Sequence, residues 1–321
     1  SDFPRGMHRV RAAGFLLALT QTAAFSSPLA GSLQTRTSSK MSVRMSSSSN
    51  KVALVTGSTD GIGRHTALKL AQEGYDVIIH GRNPKRIDDT LSFIKSKCPN
   101  ARLESFQADF AKLDDVRKLG NDISTKYKCI DVLINNAGVY EERMQKTADG
   151  FEMTFQVNVL AGFLLTSLLM DTVAKAEEPR IIITSSISQG SSIDFDNLNM
   201  EKGFSSHGSY SLSKLCNAMH AIELAERMKK RHPHITVNTL DPGTVNTKML
   251  LAGWGMCGID VERANNQFNL ATDTSLKGKS GLYFVGGRET KASSPCYDKS
   301  QRLKLWKKME EMTGIRCLPE D

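Results

Sequence analysis

The chain has 321 residues, 40% hydrophobic and 24% charged, the balance of a globular protein and not of a disordered one. Its formal net charge of +8 is concentrated at one end, where Arg5, Arg9, Arg11, Arg36, Lys40, Arg44 and Lys51 stand against Asp2; the rest is nearly balanced, which removes the support for a nucleic-acid partner. Cys98, Cys129, Cys216, Cys257, Cys296 and Cys317 are scattered, with no C-x-x-C pair and no His at ligand spacing, which speaks against a disulfide framework, structural zinc or any other metal centre.

From Phe3 to Thr59 there is neither Asp nor Glu. The stretch "MHRVRAAGFLLALTQTAAF" has a basic start, a short apolar run and small residues before Phe25, the layout of a secretory signal. The run is too short for a membrane span, which needs about 20 residues, so no transmembrane segment is expected. The Ser/Thr-rich, basic segment that follows has the composition of a transit peptide. Together they resemble the bipartite plastid presequence of algae with complex plastids. A disordered tail or a mitochondrial presequence stays open, as does a cytoplasmic protein, and Met7 is a candidate start. The expected division is a presequence or tail over 1–50, one domain over 51–314 and a short tail over 315–321.

At Lys51 the pattern changes. "KVALVTG" predicts a strand, "STDGIG" a glycine-rich turn and "RHTALKLAQEGY" a helix. Gly57, Gly61 and Gly63, with Ser58 and Ile62 between them, let backbone approach a pyrophosphate at a helix N-terminus. "DVIIHGRNPKR" is a second strand. A site for NAD puts an acid near its end to bond the ribose 2′-hydroxyl, and none stands at His80-Gly81-Arg82. Arg82 offers a fork for a 2′-phosphate and Asn83 a second donor, so NADP(H) is the expected cofactor.

The alternation continues with strand "RLESFQAD", helix "KLDDVRKLGNDISTKY", strand "DVLINNAG", the long helix "FEMTFQVNVLAGFLLTSLLMDTVAK", strand "RIIITSS", a helix around Tyr210, strand "ITVNTLDPG", strand "GLYFVG" and the amphipathic helix "SQRLKLWKKMEEMTG". This predicts an α/β fold: one Rossmann-type, doubly wound domain with a mostly parallel sheet of about seven strands and helices on both faces. Ligand residues then gather at the carboxyl ends of the strands, where Asp109, Asn135, Ser186 and Pro242 fall. In "GSYSLSK", Tyr210 and Lys214 are spaced to share one helix face, so that a cation beside a phenol lowers its pKa toward use as a proton donor and acceptor.

With Thr56-Gly57-x-x-x-Gly61-x-Gly63, Asn135-Asn136-Ala137-Gly138, Asn158, Ser186, Tyr210-x-x-x-Lys214 and Pro242-Gly243-x-x-x-Thr247 in this order, the chain resembles the short-chain dehydrogenase/reductase family over about 51–314. The segments "IDFDNLN" and "LKGKSGLYFVGGRETK" resemble its retinol-dehydrogenase-like branch. The resemblance implies an oxidoreductase in which Tyr210 is the general acid/base, Lys214 lowers its pKa and bonds the nicotinamide ribose, Ser186 holds the substrate oxygen, and Asn158 holds a water of a proton relay. It implies that Asn136, Ala137 and Gly138 cover the adenosine side, that Asp109 and Phe110 meet the adenine, and that Pro242, Gly243, Val245 and Thr247 close over the nicotinamide and phosphates. It also implies a homodimer or homotetramer paired through the helices over 151–174 and 208–231.

The expected substrate is a small lipophilic carbonyl or alcohol. A carbon–carbon double-bond reductase related to protochlorophyllide reductase, and a dinucleotide-binding protein without turnover, remain alternatives. An epimerase is disfavoured by the short chain after Lys214. Residues 248–270 depart from the branch's pattern, and there Leu250, Leu251, Trp254 and Met256 suggest an apolar lid or local packing. His207, near Tyr210, reads as a loop histidine, and Cys216 as core.

Overall fold

The computed structural model describes residues 50–316, so the expectations for the first 49 residues and the last five lie outside it. The chain runs β1 (Val52–Val55), α1 (Gly61–Gln72), β2 (Asp76–Gly81), α2 (Pro84–Lys97), β3 (Leu103–Gln107), α3 (Leu113–Lys126), β4 (Val132–Asn135), the short turn α4 (Met153–Phe155), a π-helical turn (Gln156–Leu160), α5 (Ala161–Val173), β5 (Arg180–Thr184), α6 (Ser206–Arg231), β6 (Thr236–Asp241), α7 (Lys248–Trp254), α8 (Asn266–Thr272), β7 (Tyr283–Val285), β8 (Arg288–Thr290) and α9 (Lys299–Thr313). The sheet order is β3-β2-β1-β4-β5-β6-β7-β8. Every pair is parallel except β7–β8.

The doubly wound sheet is as expected, with eight strands in place of about seven. The added strand, β8, is three exposed residues joined to β7 through Gly286 and Gly287, whose φ angles of 57° and 77° suit a tight hairpin turn. Arg-Glu-Thr carries no apolar alternation, so nothing in its pattern announces a strand.

Strand alternation builds two cores, one on each face of the sheet. Leu54, Ile78, Leu133, Ile181 and Ile183 join Val116, Leu164, Met219 and Leu305 from α3, α5, α6 and α9. Their neighbours Ala53, Val55, Val77, Ile79, Ile134 and Ile182 face the other way, onto Leu70, Ile94 and Leu270 from α1, α2 and α8. The stretch Met153–Val173 is long and apolar enough to cross a membrane, with a mean hydropathy of 1.6, but 78% of its apolar window is buried inside the domain, as a core helix is. On the helical side α9 lies over α5 and α6, with Trp306 5.1 Å from the Phe163 ring and 5.8 Å from His220. Part of the face expected to pair subunits is therefore covered within one chain.

Beneath α9 an ion pair is sealed from solvent. Arg302 Nε donates to Glu223 at 3.2 Å and its Nη1 to the Cys296 carbonyl at 3.1 Å, while Arg227 reaches the other Glu223 oxygen at 3.0 Å. Replacing one partner of such a pair strands the remaining charge. Glu223→Ala is expected to cost about 3–5 kcal/mol in urea unfolding, against less than about 1 kcal/mol for Glu104→Ala, which removes only the exposed Lys126 pair.

Candidate active site

Strand order reverses between β1 and β4, and a cleft of about 660 Å³ opens above that point. Its first wall is the glycine turn. Asp60 accepts from the Gly61 amide at 2.8 Å and caps α1. Gly57 and Gly61 sit at φ 62° and 49°. A Cβ on Gly57 would lie 2.8 Å from the Ala137 Cα, and one on Gly63 would lie 2.4 Å from both the Gly57 carbonyl and the Asn136 amide nitrogen. Here only glycine allows the close backbone approach that a pyrophosphate needs.

The turn is tied to β4 by Thr56, whose hydroxyl accepts from the amides of Asn136 at 2.9 Å and Ala137 at 3.0 Å. The Asn136 side chain donates to the Thr56 carbonyl at 2.8 Å and accepts from Gln267 at 2.9 Å. At the end of β2, Arg82, Asn83 and Arg86 line the cleft. Asn83 also caps α2, its side-chain oxygen accepting from the Arg86 amide at 3.1 Å. Asp109 and Phe110 complete this end. The acid missing from the carboxyl end of β2 is approached by one from elsewhere. Glu141 lines the same cleft, with burial holding its carboxyl above its usual range and the positive charge of Arg82 opposing that.

The opposite end is formed by β5, α6 and the turn after β6. Tyr210 is 8% exposed and Lys214 3%, and Nζ lies 5.3 Å from the phenol ring centre. Lys214 donates to the Thr184 carbonyl at 3.3 Å. Burial draws its ammonium down to about 8, against a raising influence from Asp241. Burial also pushes the Tyr210 phenol up to about 12, with Ser186 pulling it down and Asp241 adding to the rise. The site's own residues thus leave the phenol high, not low as the spacing alone suggested, because desolvation outweighs the other influences. Asp241 is itself buried and accepts from the amides of Ile187 at 2.9 Å and Gly243 at 2.8 Å.

Asn158 stands in the π-helical turn. Its side chain accepts from the Val139 amide at 2.7 Å and donates to the Val139 carbonyl at 3.1 Å and to Ser213 at 3.0 Å. Ser213 in turn donates to the Tyr210 carbonyl at 2.7 Å. Glu152 is fully buried and accepts from Ser209 at 2.7 Å, which anchors the start of the same helix.

Of the residues expected at the site, Gly57, Gly61, Ile62, Gly63, Arg82, Asn83, Asp109, Phe110, Asn136, Ala137, Gly138, Tyr210, Lys214, Pro242 and Thr247 line the cleft. Ser58, Asn158, Ser186, Gly243 and Val245 stand behind or beside it: Ser58 is fully buried, bonded to His80, and Val245 is 2% exposed, bridged to Ile259. Residues that spacing did not single out are His80, Tyr140, Glu141, Glu152, Asp241 and Gln267.

Helix α7 covers the Tyr210 end. Trp254 lies 5.3 Å from the Tyr210 ring and 5.1 Å from Tyr140, whose own ring is 5.8 Å from Tyr210. The Tyr140 hydroxyl and His207 Nδ1 are 2.9 Å apart. Lys248, the first residue of α7, reaches across the cleft to Asp60 at 2.8 Å.

The sequence model described as short chain dehydrogenase matches residues 51–253. The human "Polyprenol dehydrogenase" is 34% identical over 283 residues, covering 83% of this chain and 86% of that one. The human "Retinol dehydrogenase 14" is 33% identical, covering 83% and 87%. "Short-chain dehydrogenase TIC 32 B, chloroplastic" of Brassica napus is 32% identical, covering 79% and 86%. Among solved structures, a short chain dehydrogenase of Escherichia coli complexed with NADPH superposes with a TM-score of 0.61 at 25% identity, covering 73% of this chain and 95% of that one.

The pKa shifts set a testable sign. Lys214 has a folded pKa near 8 against an unfolded value near 10.5, so its full stability is present above about 10.5 and is lost as the pH falls from there through about 8. Lys214→Met is expected to stabilise the protein by about 1–3 kcal/mol at pH 7 and by nearly nothing at pH 10.5, read by urea unfolding of both proteins.

Proposed function

The chain belongs to the short-chain dehydrogenase/reductase family, in its retinol-dehydrogenase-like branch, and from that premise we propose an NADP(H)-dependent oxidoreductase that moves hydride to or from a lipophilic carbonyl or alcohol. The observation that carries this reading is the meeting of Tyr210 and Lys214, with Ser186 bonded to Tyr210 beside them, at one end of a cleft whose other end is the glycine turn and Arg82. When bound, the nicotinamide supplies or accepts the hydride. Gly57, Gly61 and Gly63 would hold the pyrophosphate at the N-terminus of α1, and Arg82 with Arg86 and Asn83 would receive the 2′-phosphate.

In reduction, the electron pair of the substrate C=O bond moves onto oxygen. The Ser186 hydroxyl holds that oxygen, and Tyr210 gives it a proton; oxidation runs the same transfer backward. Burial alone penalises both a phenolate at Tyr210 and an ammonium at Lys214. A phenolate and an ammonium formed side by side would offset each other's burial cost, which is how Lys214 assists the proton transfer in this reading. Asn158, through Ser213 and Val139, keeps the tyrosine's turn of α6 in register with the loop after β4. The substrate end is walled by Val139, Tyr140, Met249 and Ala252 with Trp254 above, which supports an apolar substrate.

Residues 1–50 are read as a plastid presequence, 51–314 as the enzyme domain and 315–321 as a tail; the chloroplastic relative supports the compartment. Pairing as a homodimer or homotetramer is proposed through what α9 leaves open on α5 and α6.

Tyr210→Phe is expected to lower kcat by at least about 100-fold while leaving NADPH affinity within a few-fold, measured with a panel of lipophilic ketones and aldehydes. Retained turnover removes Tyr210 from the chemistry. Arg82→Glu is expected to weaken NADPH binding at least about tenfold and NADH little, by fluorescence titration. An unchanged preference refutes the phosphate fork.

A further inference from the structure

At the end of β2, His80 is 3% exposed and makes four kinds of contact with the cofactor wall. Its Nδ1 accepts from the Gly57 amide at 3.1 Å. Its Nε2 lies 3.2 Å from the Ala108 carbonyl. Its ring stacks on Phe110, centroids 4.4 Å apart and planes 26° from parallel. Its backbone is paired with Ser58, the amide donating to the Ser58 hydroxyl at 2.9 Å and the carbonyl accepting from the Ser58 amide at 2.9 Å.

These contacts admit one protonation state. An amide N–H can only donate, so Nδ1 facing Gly57 carries no proton. A carbonyl can only accept, so Nε2 facing Ala108 carries one. The imidazole is therefore neutral, in the Nε2–H tautomer. Burial draws its pKa down to about 4, outweighing the Ala108 carbonyl and the negative charge of Asp109, which both favour the charged ring, while Gly57, Ser58 and Phe110 bring no charge. A second proton would set two donors against each other at Gly57.

The Gly57 amide has consequences beyond one bond. The same residue sits at φ 62°, its carbonyl accepts from Asn136 at 3.2 Å, and that carbonyl is the atom a Cβ on Gly63 would strike. A shift at Gly57 therefore passes to the start of α1. Phe110 lines the same end of the cleft, and the ring that fixes the amide also backs the phenyl.

We propose that His80 is a positioning residue for the dinucleotide: one neutral imidazole sets both the glycine turn that meets the pyrophosphate and the Phe110 ring that meets the adenine. This rests on the dinucleotide reading above. It differs from the role of Arg82, because the turn and the adenine wall are shared by NADPH and NADH. Loss of His80 therefore weakens both cofactors alike and leaves the hydride and proton steps, at the other end of the cleft, unchanged.

The test compares the wild type with His80→Asn, whose side-chain oxygen can still accept from Gly57, and His80→Phe, which cannot. His80→Phe is expected to raise Kd and KM for NADPH and NADH by the same factor, at least about tenfold, with kcat within twofold; His80→Asn is expected to recover most of the loss. Equal binding by wild type and His80→Phe, loss of NADPH affinity alone, or no recovery in His80→Asn overturns the proposal. An independent readout uses the wild type without cofactor: nitrogen-15 spectra of the ring should show Nδ1 bare and Nε2 protonated, unchanged from pH 8 to 5.5. A ring that titrates near pH 6.5, or one protonated at Nδ1, refutes the positioning role. Wild type that keeps this ring state but binds neither dinucleotide overturns the functional reading itself, and the proposal falls with it.

Discussion

The structure depends on the way β1 and β4 part. Up to Thr56 they are neighbours in one sheet, and beyond it each chain turns to its own side. The groups freed there lack strand partners, and buried polar groups must find others. The Thr56 hydroxyl meets the demand by accepting two amides from the β4 side and donating to the Ile134 carbonyl at 3.2 Å. Asn136 binds back to β1 through its side chain, and Gln267 from α8 donates to both Asn136 and Thr184, so the ends of β1, β4 and β5 share one network. A cleft at a strand-order reversal is a topological necessity. Its rigidity comes from these few side chains.

The other end of the cleft holds groups that weaken the fold. Lys214 and Tyr210 are buried where each would be easier to keep neutral, and Asp241, which acts electrostatically on both, spends its oxygens on backbone amides. A protein selected for stability alone would place apolar residues here. In the proposed reaction a phenolate forms on Tyr210 beside the Lys214 ammonium, in a site dry enough for the pair to matter. Stability was given up locally, and the large apolar cores on both faces of the sheet tolerate the loss.

How much of this was legible depends on the range of the signal. β1, its glycine turn and α1 are contiguous, and the Tyr210–Lys214 pair is four residues apart, so period and spacing exposed them. The parallel sheet followed from alternation. What stayed hidden acts across the chain. Gly57 and His80 are 23 positions apart, Asn136 and Gln267 131 apart, and neither pair has a local pattern. Glu141 reaches Arg82's surroundings from the loop after β4, so the end of β2 by itself carries no sign of an acid there. Asn158 sits in a π-helical turn that the apolar run around it does not betray. The high phenol pKa needed burial, which spacing cannot report, and β8 is too short and too polar to show a period.

Helix α7 spans the two ends of the cleft. It has no buried residue, so little holds it down except its contacts at either end: Lys248 on Asp60 beside the glycine turn, and Trp254 on Tyr140 and Tyr210. The first is an exposed ion pair, worth little by itself. The second covers the tyrosine that the proposed reaction needs a substrate to reach. The segment where the sequence departs from its branch is therefore the one that touches both ends of the cleft.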